Sequence, residues 1–241
     1  MPTAFDDRER AAIRERLLAA AVDALGRGGL GAASVAELAA AASIAKGSFY
    51  LFYDSKEELF MDALEGIERD YRAIFEAAPA LPGTAFERVH AAFQAAFAKV
   101  TSDPAVTSMD GRTLERLTRA LPPERVARHV EADAAAMATI AAAWSAAGLL
   151  GPGVGAAELA GAGYAVFLMS TGLRNLPEGP RAATVAVVAL GLALALAGTE
   201  GAIGEGSDER GGRRDSDTLR RDSDTLRRYS DTRRHEERRT R

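Results

Sequence analysis

The 241-residue sequence contains no cysteine, which excludes disulfide bonds, thiolate metal sites and cysteine nucleophiles. Histidine is scarce, because only His90, His129 and His235 occur and none has a partner at metal-ligand spacing. The GxSxG, Walker and HExxH motifs are also missing. We therefore expect a protein that is not an enzyme and that has no metal site and no cofactor.

Long apolar segments are missing too. The N-terminal residues mix acids and bases and lack the apolar core of a signal peptide. The most apolar run, residues 182–198, is shorter than the ~20 residues that a membrane span needs, and we interpret it as a buried helix. These features predict a cytoplasmic protein with no membrane partner. Strand-like alternation does not occur, so an all-α fold is expected.

An excess of positive charge is a further absence. The formal net charge is -4, and within residues 1–56 the acidic and basic side chains are equal in number. A broad positive field that attracts nucleic acid is therefore excluded. Any affinity for DNA has to come from a few placed cations, from helix termini and from more than one copy of the binding motif.

Residues 34–59, SVAELAAAASIAKGSFYLFYDSKEEL, carry most of the functional information. Ser34 with Glu37 has the spacing of a capping box, which predicts a helix start. A short break at residues 42–44 precedes a second helix, predicted over 45–53. Ser55 has an acidic residue three positions later, so a second capping box and a third helix are expected there.

This arrangement is typical of a helix-turn-helix that reads DNA, because a major groove admits one short helix. We expect Lys46, Tyr50 and Lys56 to contact phosphates. Glycine costs about 1 kcal/mol relative to alanine in a helix, so Gly47 suggests close approach of the backbone to the duplex. The remaining candidates for DNA contact stand at the helix starts, with the last three near base edges: Ser34, Val35, Ala45 and Ser48.

The stretch closely resembles the DNA-binding motif of the TetR family of bacterial transcriptional regulators. The resemblance rests on Leu38-Ala39, Ala42-Ser43-Ile44, Lys46-Gly47-Ser48-Phe49-Tyr50 and Ser55-Lys56-Glu57-Glu58-Leu59. It covers residues 10–60 and implies a homodimeric regulator with a ligand-sensing C-terminal domain. Ser43 stands where the family usually has glycine, which predicts an adjusted or strained turn. Phe52-Tyr53 reverses the family's usual order.

Beyond the motif, helices are predicted over residues 55–77, 84–101, 105–120, 123–147, 156–174 and 180–198. The last two are nearly apolar all round, and such helices must be covered on every side. Two of them from each subunit would form a four-helix dimer interface. Large apolar residues in this region are either plain core or the lining of a pocket for a small apolar effector: Phe93, Phe97, Met109, Trp144 and Phe167.

The sequence thus predicts a helix-turn-helix domain at residues 1–56 and a helical dimerisation and ligand-sensing domain at 57–200. Residues 201–241 contain the repeat RRDSDTL and are expected to be a disordered tail. The predicted function is a transcriptional regulator, most simply a repressor that a ligand releases from double-stranded DNA with an inverted-repeat operator. An alternative is a helical ligand-binding or scaffolding protein whose DNA binding has decayed, given the neutral motif, Ser43 and Phe52-Tyr53.

Overall fold

The computed structural model describes residues 5–109, 111–173 and 175–198. Every regular element in this part of the chain is helical, which confirms the predicted all-α class. The α-helices are α1 (Asp7–Gly28), α2 (Val35–Ala41), α3 (Lys46–Phe49), α4 (Lys56–Ala77), α5 (Ala85–Ser102), α6 (Pro104–Thr107), α7 (Gly111–Ala120), α8 (Pro123–Ala146), α9 (Ala156–Leu173) and α10 (Glu178–Ala197). The predicted tail, 201–241, lies outside the described residues.

The N-terminal helices begin at residues whose side chains cap the free backbone N–H groups. Ser34 Oγ accepts from the backbone N–H of Glu37, and the Glu37 carboxylate accepts from the backbone N–H of Ser34, so the first predicted capping box is confirmed. The second forms only in part, because Ser55 Oγ accepts from the N–H of Glu58 while the Glu58 carboxylate binds Arg125 instead. A distant ion pair has replaced one local hydrogen bond.

The prediction of one helix over residues 105–120 is wrong, because α6 ends at Thr107 and α7 begins only at Gly111. Ser108 Oγ donates to the carbonyl of Gly26 in α1 at 3.2 Å, and Met109 is buried in the core. These two tertiary contacts interrupt the helix where its sequence also contains weak helix formers.

Helix α5 lies at the centre of the C-terminal half and packs against α4, α9 and α10. Its inward face is fully buried at Val89, Phe93, Ala96 and Phe97. Helix α4 contacts α1 as well as α5, α7 and α8, so it joins the N-terminal helices to the rest of the fold.

The outer surface of α9 and α10 is apolar. Large apolar side chains are exposed on both helices in the single chain: Tyr164, Leu168, Val187 and Leu190. Within the described residues, α10 is the helix that is long and apolar enough to cross a membrane by length and composition, and 17% of its most apolar window is buried. Helix α10, which the sequence predicted to be buried, is therefore largely exposed in the single chain.

Candidate DNA interface and C-terminal cavity

The turn between α2 and α3 is a helix C-terminal motif closed by two backbone hydrogen bonds. Ile44 N–H donates to Ala39 and Ser43 N–H donates to Ala40, both at 2.9 Å. This is the Schellman pattern, which needs a left-handed residue after the helix and usually takes glycine. Ser43 has φ 61° and supplies that conformation, so the strained turn expected from the sequence is confirmed.

Helix α3 is shorter than predicted. It ends at Phe49, and the chain continues as turns in which Phe52 N–H and Tyr53 N–H both donate to the Phe49 carbonyl. Phe49 is fully buried and anchors the helix. Phe52 is nearly buried as well, beneath the Arg10 guanidinium at 5.2 Å from its ring, so it serves packing.

The residues predicted to meet DNA fall into an exposed and a half-buried group. Exposed are Ser34 at the start of α2 and, around α3, Ala45, Lys46, Gly47 and Tyr50. Half-buried are Val35, Ser48 and Lys56. The four-residue α3 thus keeps Phe49 inward while the neighbouring positions stay accessible.

Lys56 is placed differently from the simple expectation of a solvated cation. Its Nζ donates to the carbonyls of Leu30 at 3.0 Å and Ala33 at 3.3 Å, which fixes the loop between α1 and α2. An ammonium group has three donors, so one donor is left for a phosphate oxygen. The same contact brings the start of α4 beside the start of α2.

Gly47 has free space around it inside its own chain. A Cβ at this position meets no atom of the described residues within 4 Å, and the backbone of Gly47 is not in the left-handed region. Within the described residues, the fold therefore leaves room for a side chain at Gly47, as it does at Gly66 of α4.

Two arginines of α1 were not identified from the sequence as part of this site. Arg16 Nε donates to the carbonyl of Ala42 at 3.0 Å, and Arg10 donates to the carbonyl of Leu51 at 3.2 Å. They therefore hold the turn before α3 and the turn after it. Their only signal in the sequence was their place on the helix that precedes the motif.

Residues 17–63 match the sequence profile described as bacterial regulatory proteins, tetR family. This match spans the second half of α1, all of α2 and α3, and the first part of α4. Residues 17–63 therefore carry the DNA-binding region of the TetR family of bacterial regulatory proteins.

The fold is similar to that of a putative TetR-family transcriptional regulator from Mesorhizobium loti MAFF303099, at 17% identity and a TM-score of 0.55 over 77% of this chain and 96% of that chain. Thermus thermophilus FadR, a TetR-family repressor solved in complex with lauroyl-CoA, is 19% identical, with a TM-score of 0.49 over 83% and 100% of the two chains. No curated protein matches the sequence significantly.

In the C-terminal half of the chain, Arg125 binds three carboxylates of α4. It donates to Glu65 at 2.7 Å, to Asp62 at 2.9 Å and to Glu58 at 3.1 Å. The arginine side chain is 10% exposed. The sequence signal was a row of acids at helical spacing on α4, but nothing in the sequence identified the partner.

A cavity of about 220 Å³ lies between α4, α7, α8 and α9 of the regulator. Its apolar wall includes Leu64, Phe75, Leu114, Met137, Tyr164 and Phe167. A smaller cavity of about 40 Å³ shares Leu64, Glu68, Tyr71 and Phe167 with it and also touches Met109.

The predicted pocket residues therefore divide. Phe167 lines both cavities and Met109 lines the smaller one, whereas Phe93, Phe97 and Trp144 line neither and are fully buried. Trp144 Nε1 donates to the backbone carbonyl of Phe75 at 2.7 Å, as a buried indole requires.

The polar end of the larger cavity is built from α4 and α8. Arg72 pairs with Asp133 at 2.7 Å and lies 3.9 Å from Glu68, while His129 Nε2 lies 3.7 Å from Glu68. Burial raises the pKa of Glu68 to about 7, with the charge of Asp133 acting in the same direction and Arg72 opposing it. Burial also raises the pKa of the Tyr71 hydroxyl.

Proposed function

We propose that this TetR-family regulator binds an inverted-repeat operator as a homodimer, represses transcription, and is released when a small molecule fills the larger C-terminal cavity. The main support for DNA binding is the accessible helix α3, in which Gly47 has room for a side chain within the described residues. Residues 1–56 would contact DNA, and residues 57–200 would dimerise and sense the ligand. The proposed location is the cytoplasm.

The proposed contacts follow from exposure and side-chain chemistry. Lys46, Tyr50 and the third donor of Lys56 would bind phosphates, which position a protein on DNA without reading its sequence. Ser34 uses its oxygen as a cap acceptor, so its O–H is still able to donate to a phosphate. Val35, Ala45 and Ser48 would lie near base edges, and Gly47 would lie against the backbone of the duplex.

The proposed dimer interface is the exposed apolar surface of α9 and α10, including Tyr164 and Val187. Such a surface is unusual on a monomer and marks an interaction site. A second copy covers it with the same surface by two-fold symmetry. Two copies of α3 would then meet half-sites about one DNA turn apart, which accounts for an inverted repeat.

A second candidate function is that of a helical ligand-binding protein without DNA affinity. It is favoured by the hydrogen bonds that Arg10, Arg16 and Lys56 make to backbone carbonyls, because these bonds leave few free cations near α3. Gly47→Leu separates the two candidates. Fluorescence anisotropy with labelled DNA flanking the protein's own gene measures the affinity. Gly66→Leu is the matched control, because Gly66 lies within α4 and also has empty space around an added Cβ.

We expect Gly47→Leu to abolish DNA binding with an unchanged circular dichroism spectrum, because a leucine there would hold the backbone away from the duplex. Gly66→Leu should bind like the wild type. Wild-type affinity in Gly47→Leu would mean that α3 does not enter the groove. Failure of the unmodified protein to bind any flanking DNA would support the second candidate.

Ligand control needs only a modest energy difference. A ligand that favours the dimer with displaced α3 helices by ~1.4 to 2.8 kcal/mol would weaken DNA binding about 10- to 100-fold. DNA must then weaken the ligand by the same factor. Equal affinity of a ligand for the free protein and for its DNA complex would exclude this coupling.

A further inference from the structure

Two residues that line the larger cavity each have a buried polar atom without a hydrogen-bond partner among the described residues. They are the Tyr71 hydroxyl and Oε2 of Glu68. Buried polar groups are rarely left unsatisfied, because the water that they lose is not replaced, and such exceptions require an explanation. Glu68 and Tyr71 are three residues apart on α4, so they are neighbours on one helix face. Both line the two cavities.

The charges around this point are predominantly negative. Acidic side chains outnumber arginines where α4 meets α8; the acids are Glu58, Asp62, Glu65, Glu68 and Asp133, and the arginines are Arg72 and Arg125. Arg125 is already bound to three carboxylates and Arg72 to Asp133. Among the described residues, Glu68 lies 3.9 Å from Arg72 and 3.7 Å from His129, which is too far for a hydrogen bond to either of them.

We propose that the cavity takes a small lipophilic amine whose protonated nitrogen donates to Oε2 of Glu68 and to the Tyr71 hydroxyl oxygen. This assignment rests on the proposed ligand response, and it names the ligand class. An ammonium group has three donors and no acceptor, so one nitrogen satisfies both atoms at once. An opposite charge beside Glu68 also favours its ionised form.

The apolar wall sets the size of the ligand. A cavity of ~150 Å³ holds a benzene molecule, so about 220 Å³ has room for one ring with a short side chain. The ring would lie among Phe75, Met137, Tyr164 and Phe167. An anionic ligand fits this charge pattern poorly, because Arg72 would have to leave Asp133 to bind it.

Isothermal titration of the full chain with three probes of equal size tests the charge preference. The probes are 2-phenylethylamine, 2-phenylethanol and phenylacetate, which are cationic, neutral and anionic at pH 8. We expect the amine to bind at least tenfold more tightly than either of the others. Phenylacetate or phenylethanol binding as tightly as the amine would overturn the proposal, and so would no binding of any probe at millimolar concentration.

Three variants locate the charge recognition. Glu68→Gln should remove the preference for the amine, and Tyr71→Phe, which deletes only the hydroxyl, should reduce it. Glu76→Gln is the matched control, because Glu76 is exposed on the same helix and should keep the preference. A preference that survives both Glu68→Gln and Tyr71→Phe would refute this binding mode.

The pH dependence is a second readout that a purely structural role of Glu68 would not produce. Because the pKa of Glu68 is about 7, its ionised fraction rises about tenfold between pH 6 and 8, and amine affinity should rise with it. The charged and titratable groups that face Glu68 are Glu65 and Arg72 on α4, His129 and Asp133 on α8, and Lys99 on α5. The rise should vanish in Glu68→Gln; a persisting rise would exclude Glu68 as its origin.

The same titrations separate this proposal from the proposed function. If 2-phenylethylamine binds with the expected preference but leaves DNA affinity unchanged, the ligand class stands and ligand control of DNA binding fails. If DNA binding responds to phenylacetate and the amine does not bind, the regulatory function stands and the ligand class is wrong.

Discussion

Replacement of Arg125 by methionine tests whether the ion cluster between α4 and α8 stabilises the regulator. Methionine keeps much of the length of the side chain but leaves Glu58, Asp62 and Glu65 without their shared cation. Removal of one partner from a buried ion pair costs about 3–5 kcal/mol. These carboxylates are 22%, 43% and 28% exposed, so water screens them and we expect about 2–3 kcal/mol.

Thermal unfolding measures the loss. For a domain of this size 1 kcal/mol shifts Tm by about 2–4 °C, so Arg125→Met should melt about 4–12 °C below the wild type at pH 7. Asp62→Asn is the comparison, because Arg125 keeps two partners and the most exposed carboxylate contributes at most about 1 kcal/mol. A Tm of Arg125→Met within about 1 °C of the wild type at pH 7 would refute the reasoning.

The difference in Tm between the wild type and Arg125→Met should depend on pH. Burial tends to raise the pKa of Glu65, but the hydrogen bond and charge of Arg125, with a smaller effect of His129, lower it overall. A lowered folded-state pKa contributes stability above the ordinary pKa of 4.5, and that contribution is lost as pH falls through the folded value. The Tm gap should therefore be largest at neutral pH and shrink below about pH 4.5. A gap that widens in acid would contradict this account.

Two further predictions concern the DNA-binding helices. Tyr50→Phe should weaken binding to all DNA sequences by a similar factor, because a phosphate contact carries no sequence information. Fluorescence anisotropy with operator DNA and with unrelated DNA measures the two affinities. A loss of affinity confined to one of the two DNA sequences would contradict the phosphate contact. Ser43→Gly should raise Tm by up to a few degrees at unchanged DNA affinity, because glycine adopts the left-handed turn without strain. The gain is small because glycine also increases the entropy of the unfolded chain, which lowers stability. A lower Tm would show that the Ser43 side chain stabilises the turn.

The elements of the fold that depend on residues three or four positions apart were predictable. The capping box of Ser34 and the position of the turn at Ser43 follow from local hydrogen bonds, which form whatever the rest of the chain does. The family motif in residues 34–59 was sufficient to indicate a DNA-binding regulator.

The partners of long side chains were not predictable. Glu58 was expected to close a local capping box, yet its carboxylate binds Arg125, which is 67 positions away. Lys56 was expected to contact a phosphate, and the sequence did not indicate that two of its three donors bind carbonyls of the preceding loop. In each case local and distant partners compete for one charged group, and packing decides which of them lies within hydrogen-bond distance.

The cavity, too, was predictable from the sequence only in part. The sequence indicated large apolar residues in the C-terminal half, but it did not indicate that Trp144 fills the core while Phe167 borders a cavity. Composition determines how much apolar volume a chain has to bury. Only the crossing of α4, α7, α8 and α9 decides where that volume fails to fill the space, because a void depends on the relative positions of helices that are distant in sequence.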